Sequence, residues 1–336
     1  EKDGVQIIAY PDILPLSFLR RGYGFISFFL RLFHVLKYCY NYTYIDCGET
    51  PNSGWPGRLS QIKGATLISE WGDLIGRGGY YDHKPWLFKL FYGWYYLWAD
   101  WYFRKSADYV VVLSSMMKQY ALNRGIKEFQ LRILPGGAIP DVISYGYTPK
   151  AVIGLPEDII TIGFVGINSS ELIDLIPIFD VLKKKEFCDR FRVVVFGDYL
   201  PQALIEQYQL GHIMVSCGWV NYYQDYSKLQ AIDIFTLIKT DDVDRSCMGW
   251  PNKLGDYLAV GRPIMVSPYG DIVSFVEQYP DGFIIVNSSP DSIAGALRKI
   301  ITNEYNLRYM GQINRKVAEN AISWEARMRS FLEEIL

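Results

Sequence analysis

Apolar positions along the chain fall into short runs separated by stretches with helical spacing, and the two kinds of segment alternate from end to end. In the first half the runs "VQIIAY", "YTYID", "ATLIS", "YVVVLS" and "LRILP" read as strands. An aromatic helix lies between the third and fourth. After the fourth, "SMMKQYALNRGI" reads as a helix closed by Gly125. "PGGAIPDVISYGYTPKAVIGLPED" (Pro135–Asp158) then breaks the rhythm with glycine and proline and reads as an interdomain connection. A second series comes after it: "IITIGFVG", a helix from about Glu171 to Lys185, "FRVVVFG", "HIMVSCGWV", "DIFTLI", "PIMVS", "GFIIV" and a helix near Pro290–Thr302. Such alternation predicts parallel sheets with helices on both faces, hence two Rossmann-like doubly wound α/β domains facing a cleft where ligands are expected. The expected division is residues 1–150, residues 151–310, and terminal helices at 311–336 packing back toward the first domain.

The stretch "GWPNKLGDYLAVGRPIM" (Gly249–Met265) carries the sharpest local signal. Asn252 suits an N-cap, Gly261 a left-handed C-cap, and Pro263 forbids continuation into "PIMVS". The helix N-terminus therefore points at the rim of a sheet, where free N–H groups and the dipole favour an anion.

Composition narrows the class. The chain has 336 residues, 50% hydrophobic and 21% charged, with a formal net charge of -2, so nothing marks nucleic acid as a partner. Cys39, Cys47, Cys188, Cys217 and Cys247 lack paired spacing, and three histidines lie far apart, so neither a disulfide framework nor a metal site is indicated. The cytoplasm is the expected setting, with its membrane surface as an extension. That extension comes from the aromatics: 26 Tyr, 18 Phe and 9 Trp, many of them in "GFISFFLRLFHVLKYCYNY" (Gly24–Tyr42) and "PWLFKLFYGWYYLWADWYFRKSADY" (Pro85–Tyr109). Charges interrupt both, so neither is a membrane span. Both read as core helices of an α/β domain. A second reading lays one of them on a membrane surface, with Arg20, Arg21, Arg31 and Lys37 on anionic lipid.

No GxGxxG follows a strand, "GFVGINSS" (Gly163–Ser170) has the wrong spacing, and GxxxxGK[ST] is absent, which argues against dinucleotide and P-loop enzymes. The order of "ADYVVVLSSMMKQYALNRGI", "RILPGGAIPDV", "IGFVG", "VVVFGD", "HIMVSCGWV", "WPNKLGDYLAVGRPIM" and "GFIIVNSSPDSIAGAL" resembles the retaining glycosyltransferases of family 4, with the GT-B fold. The resemblance covers Ala107 to about Leu297 and is most specific in "PNKLGDYLAVGRPIM". It implies a nucleoside-diphosphate sugar as donor, no metal or other cofactor, and a glycan or lipid-linked glycan as acceptor. The donor diphosphate is expected at the helix start around Pro251, Asn252 and Lys253, the ribose on Asp256, the base near Gly218, Trp219 and Val220, and a close approach at Gly166. Glu70 and Asp73, in "ISEWGDLIGRGG", are the candidates for orienting the acceptor or taking its proton, with His83 behind them. A plain reading of Asp73 is that it caps the next segment.

Three departures accompany the resemblance. Met248 stands where the family's first glutamate of a spaced pair belongs, and Asp244 and Arg245 are the nearby substitutes. "INSSELIDLIP" carries no cation where the family carries two that grip the diphosphate. The sequence opens "EKDGVQIIAYP" and resembles the family only beyond its usual first strand, glycine-rich loop and helix, so an incomplete start is expected. The expected function is sugar transfer with retention of configuration; a non-catalytic GT-B protein that binds a nucleotide-sugar or a partner chain is the alternative, and a phosphorylase or epimerase the third.

Overall fold

The computed structural model describes residues 6–10, 25–46, 48, 50–167, 171–221, 223, 226–240 and 248–335. The chain divides into two compact units, Glu1–Pro135 and Gly136–Leu336, each built on a parallel sheet. The division falls ahead of the expected boundary at residue 150, because the Gly/Pro-rich segment packs within the second unit.

In the first unit β1 (Tyr42–Ile45), β2 (Thr66–Trp71), β3 (Tyr109–Val112) and β4 (Leu131–Ile133) lie side by side in chain order, all parallel. Helices α2 (Pro51–Ile62), α4 (Gly93–Ser106) and α5 (Ser115–Asn123) make the crossovers. Val110, Val111 and Val112 are buried because both faces of the sheet are covered. The expected strand "VQIIAY" does not form over its described residues 6–10, where Ile7 and Ile8 are exposed. A β-branched run has the propensity, but a strand exists only where a neighbouring edge takes its backbone bonds.

The aromatic clusters divide rather than both entering the core. Helix α1 (Phe25–Lys37) rests on α2, where Asn52 Nδ2 donates to the buried Ser27 Oγ at 3.2 Å. It leaves Ile26, Phe29, Leu30, Phe33 and Leu36 exposed. The second cluster breaks at Tyr92 into α3 (Trp86–Phe91) and α4. Helix α4 is a core helix: Tyr96, Ala99 and Phe103 are buried, and so is the Arg104–Asp100 ion pair at 2.5 Å. Arg104 also lies over the Trp71 ring at 4.7 Å, so its charge is compensated on two sides.

In the second unit the strands are β5 (Ile160–Ile167), β6 (Phe191–Gly197), β7 (Met214–Ser216), β8 (Ile234–Leu237), β9 (Ile264–Val266) and β10 (Phe283–Ile285). They form one parallel sheet in the order β10-β9-β8-β5-β6-β7, the doubly wound arrangement expected from the sequence. The chain reverses direction across the sheet beside β5, so the C-terminal ends of β5, β6 and β8 surround a topological switch point. Helices α6 (Leu172–Leu182), the short α7 (Gln202–Gln207) and α8 (Ser227–Gln230), α9 (Asn252–Val260), α10 (Asp271–Gln278), α11 (Pro290–Ile301) and α12 (Leu307–Asn320) follow one another in chain order.

Two features hold α9 in place. The backbone of Gly136 and Gly137 presses against it so closely that a Cβ on Gly136 would fall 2.3 Å from Asn252 Oδ1, and one on Gly255 2.6 Å from the Gly137 carbonyl. At the other end Gly261 is left-handed (φ 72°) and the helix stops there, as its sequence predicts. The next residue, Arg262, is buried, and its guanidinium donates to the carbonyls of Gly146, Gln230, Ile232, Val260 and Gly261 at 2.6 to 3.2 Å. One side chain thus ties the C-terminus of α9 to the segment before β8 and to residue 146. The terminal helices α12 and α13 (Trp324–Ile335) pack within this same unit: buried Asn314 donates to the Arg262 and Gly282 carbonyls, and Trp324 N to Ala138 O.

Candidate functional site

The C-terminal edge of the six-stranded sheet is laced by loop-to-loop bonds. Gly197 N donates to Gly218 O at 3.0 Å, Asp198 N to Ile167 O at 3.0 Å, and Trp219 Nε1 to Asp198 Oδ1 at 3.2 Å. Each turn needs glycine. Gly218 is left-handed (φ 67°), and a Cβ there would meet Tyr199 Oη at 2.8 Å. Gly166 is also left-handed (φ 78°), within a register shift between β5 and β6, but a Cβ there would meet nothing within 4 Å. Gly166 therefore borders open space, the condition for a close approach by a ligand. Beside it Trp219 and Tyr199 expose 74% of their surfaces, and Val220 is half-buried.

Helix α9 begins one residue earlier than a capping Asn252 would allow. Pro251 occupies the N-cap, Asn252 is the first helical residue, and no side chain caps the first turn. Proline fixes φ near the value the entry needs, and the helix starts on backbone geometry alone. Its leading N–H groups are thus not taken up by a side-chain cap. Asp256 falls a full turn into the helix rather than on its first turn; it is half-buried and has contacts of its own. Next to it Tyr257 stacks on Phe235 at 4.2 Å between ring centroids and accepts Val165 N at 3.0 Å, locking α9 to the end of β5.

Lys253 is the cation of the site. Its Nζ lies 3.9 Å from the Phe164 ring centroid and 3.0 Å from Glu171 Oε1. Burial lowers its pKa from the ordinary lysine value, with the charges of Glu171 and Asp174 opposing that shift and Lys239 reinforcing it. Lys239, just past β8, is the second cation. Its Nζ pairs with Asp174 Oδ2 at 2.8 Å, and its backbone N donates to Ser267 Oγ at 2.9 Å. Asp174 is buried and also accepts Thr240 N at 3.0 Å and Thr240 Oγ1 at 3.1 Å. Two lysines held by two carboxylates thus gather at the switch point. A polyanion arriving there gains the lysines and must displace the carboxylates.

The loop after β5 carries no cation of its own, as its sequence indicates, yet β8 delivers one from a distant segment. The signal for it in the sequence is position: Lys239 comes directly after a buried apolar strand, at the end where doubly wound sheets place ligands. Gly166, near the end of β5, Gly218, Trp219 and Val220, on the loop after β7, and Pro251, Asn252, Lys253 and Asp256, at and within α9, all lie at this edge. Arg245 and Asp244 fall outside the described residues. Met248 is half-buried.

In the first unit Glu70, half-buried on β2, accepts a short hydrogen bond from Tyr44 Oη. Burial, then this bond and the Glu70 charge, hold the Tyr44 phenol above its ordinary pKa. Asp73 is exposed on the following loop and does not cap a helix, because the next helical turn, Tyr80–His83, starts at Gly79. His83 is exposed in that turn.

Residues 156–303 match the family model described as Glycosyl transferases group 1. A stretch of 118 residues is 26% identical to the putative colanic acid biosynthesis glycosyltransferase WcaL of Salmonella typhimurium, covering 34% of this chain and 29% of that protein. The chain thus spans under a third of that relative. Among solved structures, the Anabaena protein HepE in complex with UDP-glucose is similar at a TM-score of 0.66 and 11% identity, over 92% of this chain and 81% of that one. Sucrose-phosphate synthase from Thermosynechococcus elongatus is similar at 0.61 and 16%, over 90% and 75%. WaaG, a glycosyltransferase involved in lipopolysaccharide biosynthesis, is similar at 0.58 and 12%, over 94% and 96%. The two parallel-sheet units have the GT-B architecture of these neighbours.

Proposed function

We propose that this chain is a glycosyltransferase that moves a sugar, with retention of configuration, from a nucleoside diphosphate to a hydroxyl of a glycan or lipid-linked glycan. The observation that carries the reading is the pair Lys253 and Lys239 beside the open Gly166, at the switch point of a domain that matches a glycosyltransferase model. The diphosphate would lie on the lysines and the start of α9, where cations and N–H groups stabilise the charge that develops as the sugar departs. Exposed Trp219 offers a face for the base, and Asp256 would accept from the ribose hydroxyls. Glu70 or Asp73 would orient the acceptor hydroxyl or take its proton. The UDP-glucose bound to HepE makes a UDP-sugar the first to try.

A panel of UDP-, GDP- and ADP-sugars in a thermal-shift assay tests the donor, because a ligand that binds the native state must raise the melting temperature. Transfer or hydrolysis assays then separate the two readings. Met248 in place of a glutamate favours the alternative, a GT-B protein that binds a nucleotide-sugar without turnover. Binding with no sugar release would establish that alternative.

Two substitutions resolve the site further. Asp256→Ala is expected to weaken binding of the preferred nucleotide by about tenfold, the worth of one hydrogen bond to a charged group. Unchanged affinity in titration calorimetry would remove Asp256 from the ribose site. Glu171→Gln is expected to tighten the same binding by about threefold, because Lys253 loses a carboxylate competing for it. Weaker binding in this variant would mean that Glu171 aids the donor instead of competing with it.

A further inference from the structure

Trp250 stands immediately before the Pro251 N-cap of α9 and is 8% exposed. Its ring is held from two sides: Phe275 of α10 meets it edge-on at 5.5 Å between centroids, and the Arg327 guanidinium of α13 lies 5.1 Å from its centroid. Trp250 Nε1 and Arg327 Nε are both buried, and neither finds an acceptor among the described residues. Glu325, the acid two residues before Arg327, is turned to Arg329 at 2.8 Å, and no carboxylate among the described residues pairs with Arg327. Burial lowers the Arg327 pKa to about 10, with the Tyr279 charge opposing that shift. A buried indole N–H and a desolvated guanidinium are ordinarily matched by protein acceptors, because each costs stability when it is not.

The chemistry of the two groups sets what would match them. Both atoms are donors and one group carries a charge. A hydroxyl would take one bond and leave the charge uncompensated, whereas an oxyanion accepts from both and neutralises it. The separation of ring and guanidinium is about what one phosphate bridges when it accepts at about 2.9 Å from each donor. The position agrees. The first turn of α9 carries neither a side-chain cap nor an acidic residue, so its leading N–H groups favour an anion beside Trp250. On the other side of Trp250, a Cβ on Gly249 would meet nothing within 4 Å among the described residues, so open space borders this turn.

We propose that Trp250 and Arg327 form a phosphate subsite at the start of α9 and hold the donor diphosphate together with Lys253 and Lys239, a role that rests on the donor reading given above. Arg327 is then a binding residue supplied by the terminal helix α13, and the site draws its cations from three elements instead of two. The unmatched donors of the free protein are the cost of that arrangement, offset when a phosphate arrives.

The test is titration calorimetry of the full chain with inorganic pyrophosphate and with UDP, GDP and ADP, alongside melting of the free protein. Trp250→Phe keeps the ring packed on Phe275 and removes only the N–H; it is expected to weaken binding of pyrophosphate and of the preferred nucleotide by about tenfold. Arg327→Met is expected to weaken both by about thirtyfold, and Arg327→Lys by less, since the charge is kept. Free Arg327→Met should melt no lower than the wild type, because an unpaired desolvated charge has been removed. A residue that only supported Trp250 would give the reverse, a lower melting temperature with affinity within threefold of the wild type, and that result overturns the proposal. So does a loss confined to pyrophosphate with nucleotide affinity unchanged, since the anion held there would not be the donor's. A wild type that binds pyrophosphate through Arg327 and binds no nucleotide would fail the donor reading alone and leave the phosphate subsite standing.

Discussion

Exchanging Lys239 and Lys253 together for alanine is expected to weaken nucleotide binding by about a thousandfold. Each ammonium group would make charge-assisted hydrogen bonds to the diphosphate worth about 2 kcal/mol, and a combined loss near 4 kcal/mol is about three orders of magnitude in affinity. The two come from different segments, one just past β8 and one in the first turn of α9, so each single variant should show roughly half the effect in free energy. Turnover should fall with affinity, and further if the lysines also stabilise the leaving diphosphate. Removing Lys239 leaves Asp174 buried with Thr240 as its remaining donor, so the comparison is best made against K239A/D174N, which keeps that pocket neutral. Titration calorimetry with the nucleoside diphosphate reads the outcome. Affinity within threefold of the wild type would show that the lysine cluster is structural and that the donor lies elsewhere.

Arg262→Met is expected to lower stability by about 3–5 kcal/mol, because it removes five hydrogen bonds and leaves buried carbonyls without a donor. For a unit of this size such a loss moves the melting temperature by about 10 °C. Burial already lowers the Arg262 pKa, with Tyr147, 3.8 Å from the guanidinium to the ring centroid, the first of the charges opposing that shift. Arg262→Lys should fall between, since an ammonium group serves three acceptors at most. Calorimetric melting that changes by less than about 2 °C in Arg262→Met would contradict the tying role of this side chain.

Much of the second unit is legible in the sequence. Its six strands are short apolar runs, most of them bounded by glycine or proline, as strands buried on both faces of a parallel sheet are expected to be. Gly261 and Pro263 mark the end of α9 because only glycine enters the left-handed region without strain. The start of that helix differs by one residue from the sequence expectation, since asparagine is a better cap than proline in isolation and local backbone geometry decides otherwise. Lys239 is marked in the sequence only by its position after β8; its pairing with Asp174 beside Lys253 and Glu171 is not, because that charge balance is assembled from three separated segments and no window of sequence contains it. "VQIIAY" and the aromatic clusters mark the limit in the first unit. Hydrophobicity there says that a surface is apolar and leaves open whether protein or something else covers it.

The glycine pair ahead of α9 bears on how the protein can be divided. Residues 136–138 lie against α9 and Trp324, and residue 146 receives the Arg262 guanidinium, so both belong to the second unit although they precede its first strand by many residues. A truncation beginning at residue 151 would strip the helix of this support at both ends, leaving Arg262 short of an acceptor and the face of Gly255 open to water. A fragment beginning ahead of Gly136 retains both. Exchange of second units between proteins of this architecture would therefore succeed at the earlier junction and yield unstable chimaeras at the later one.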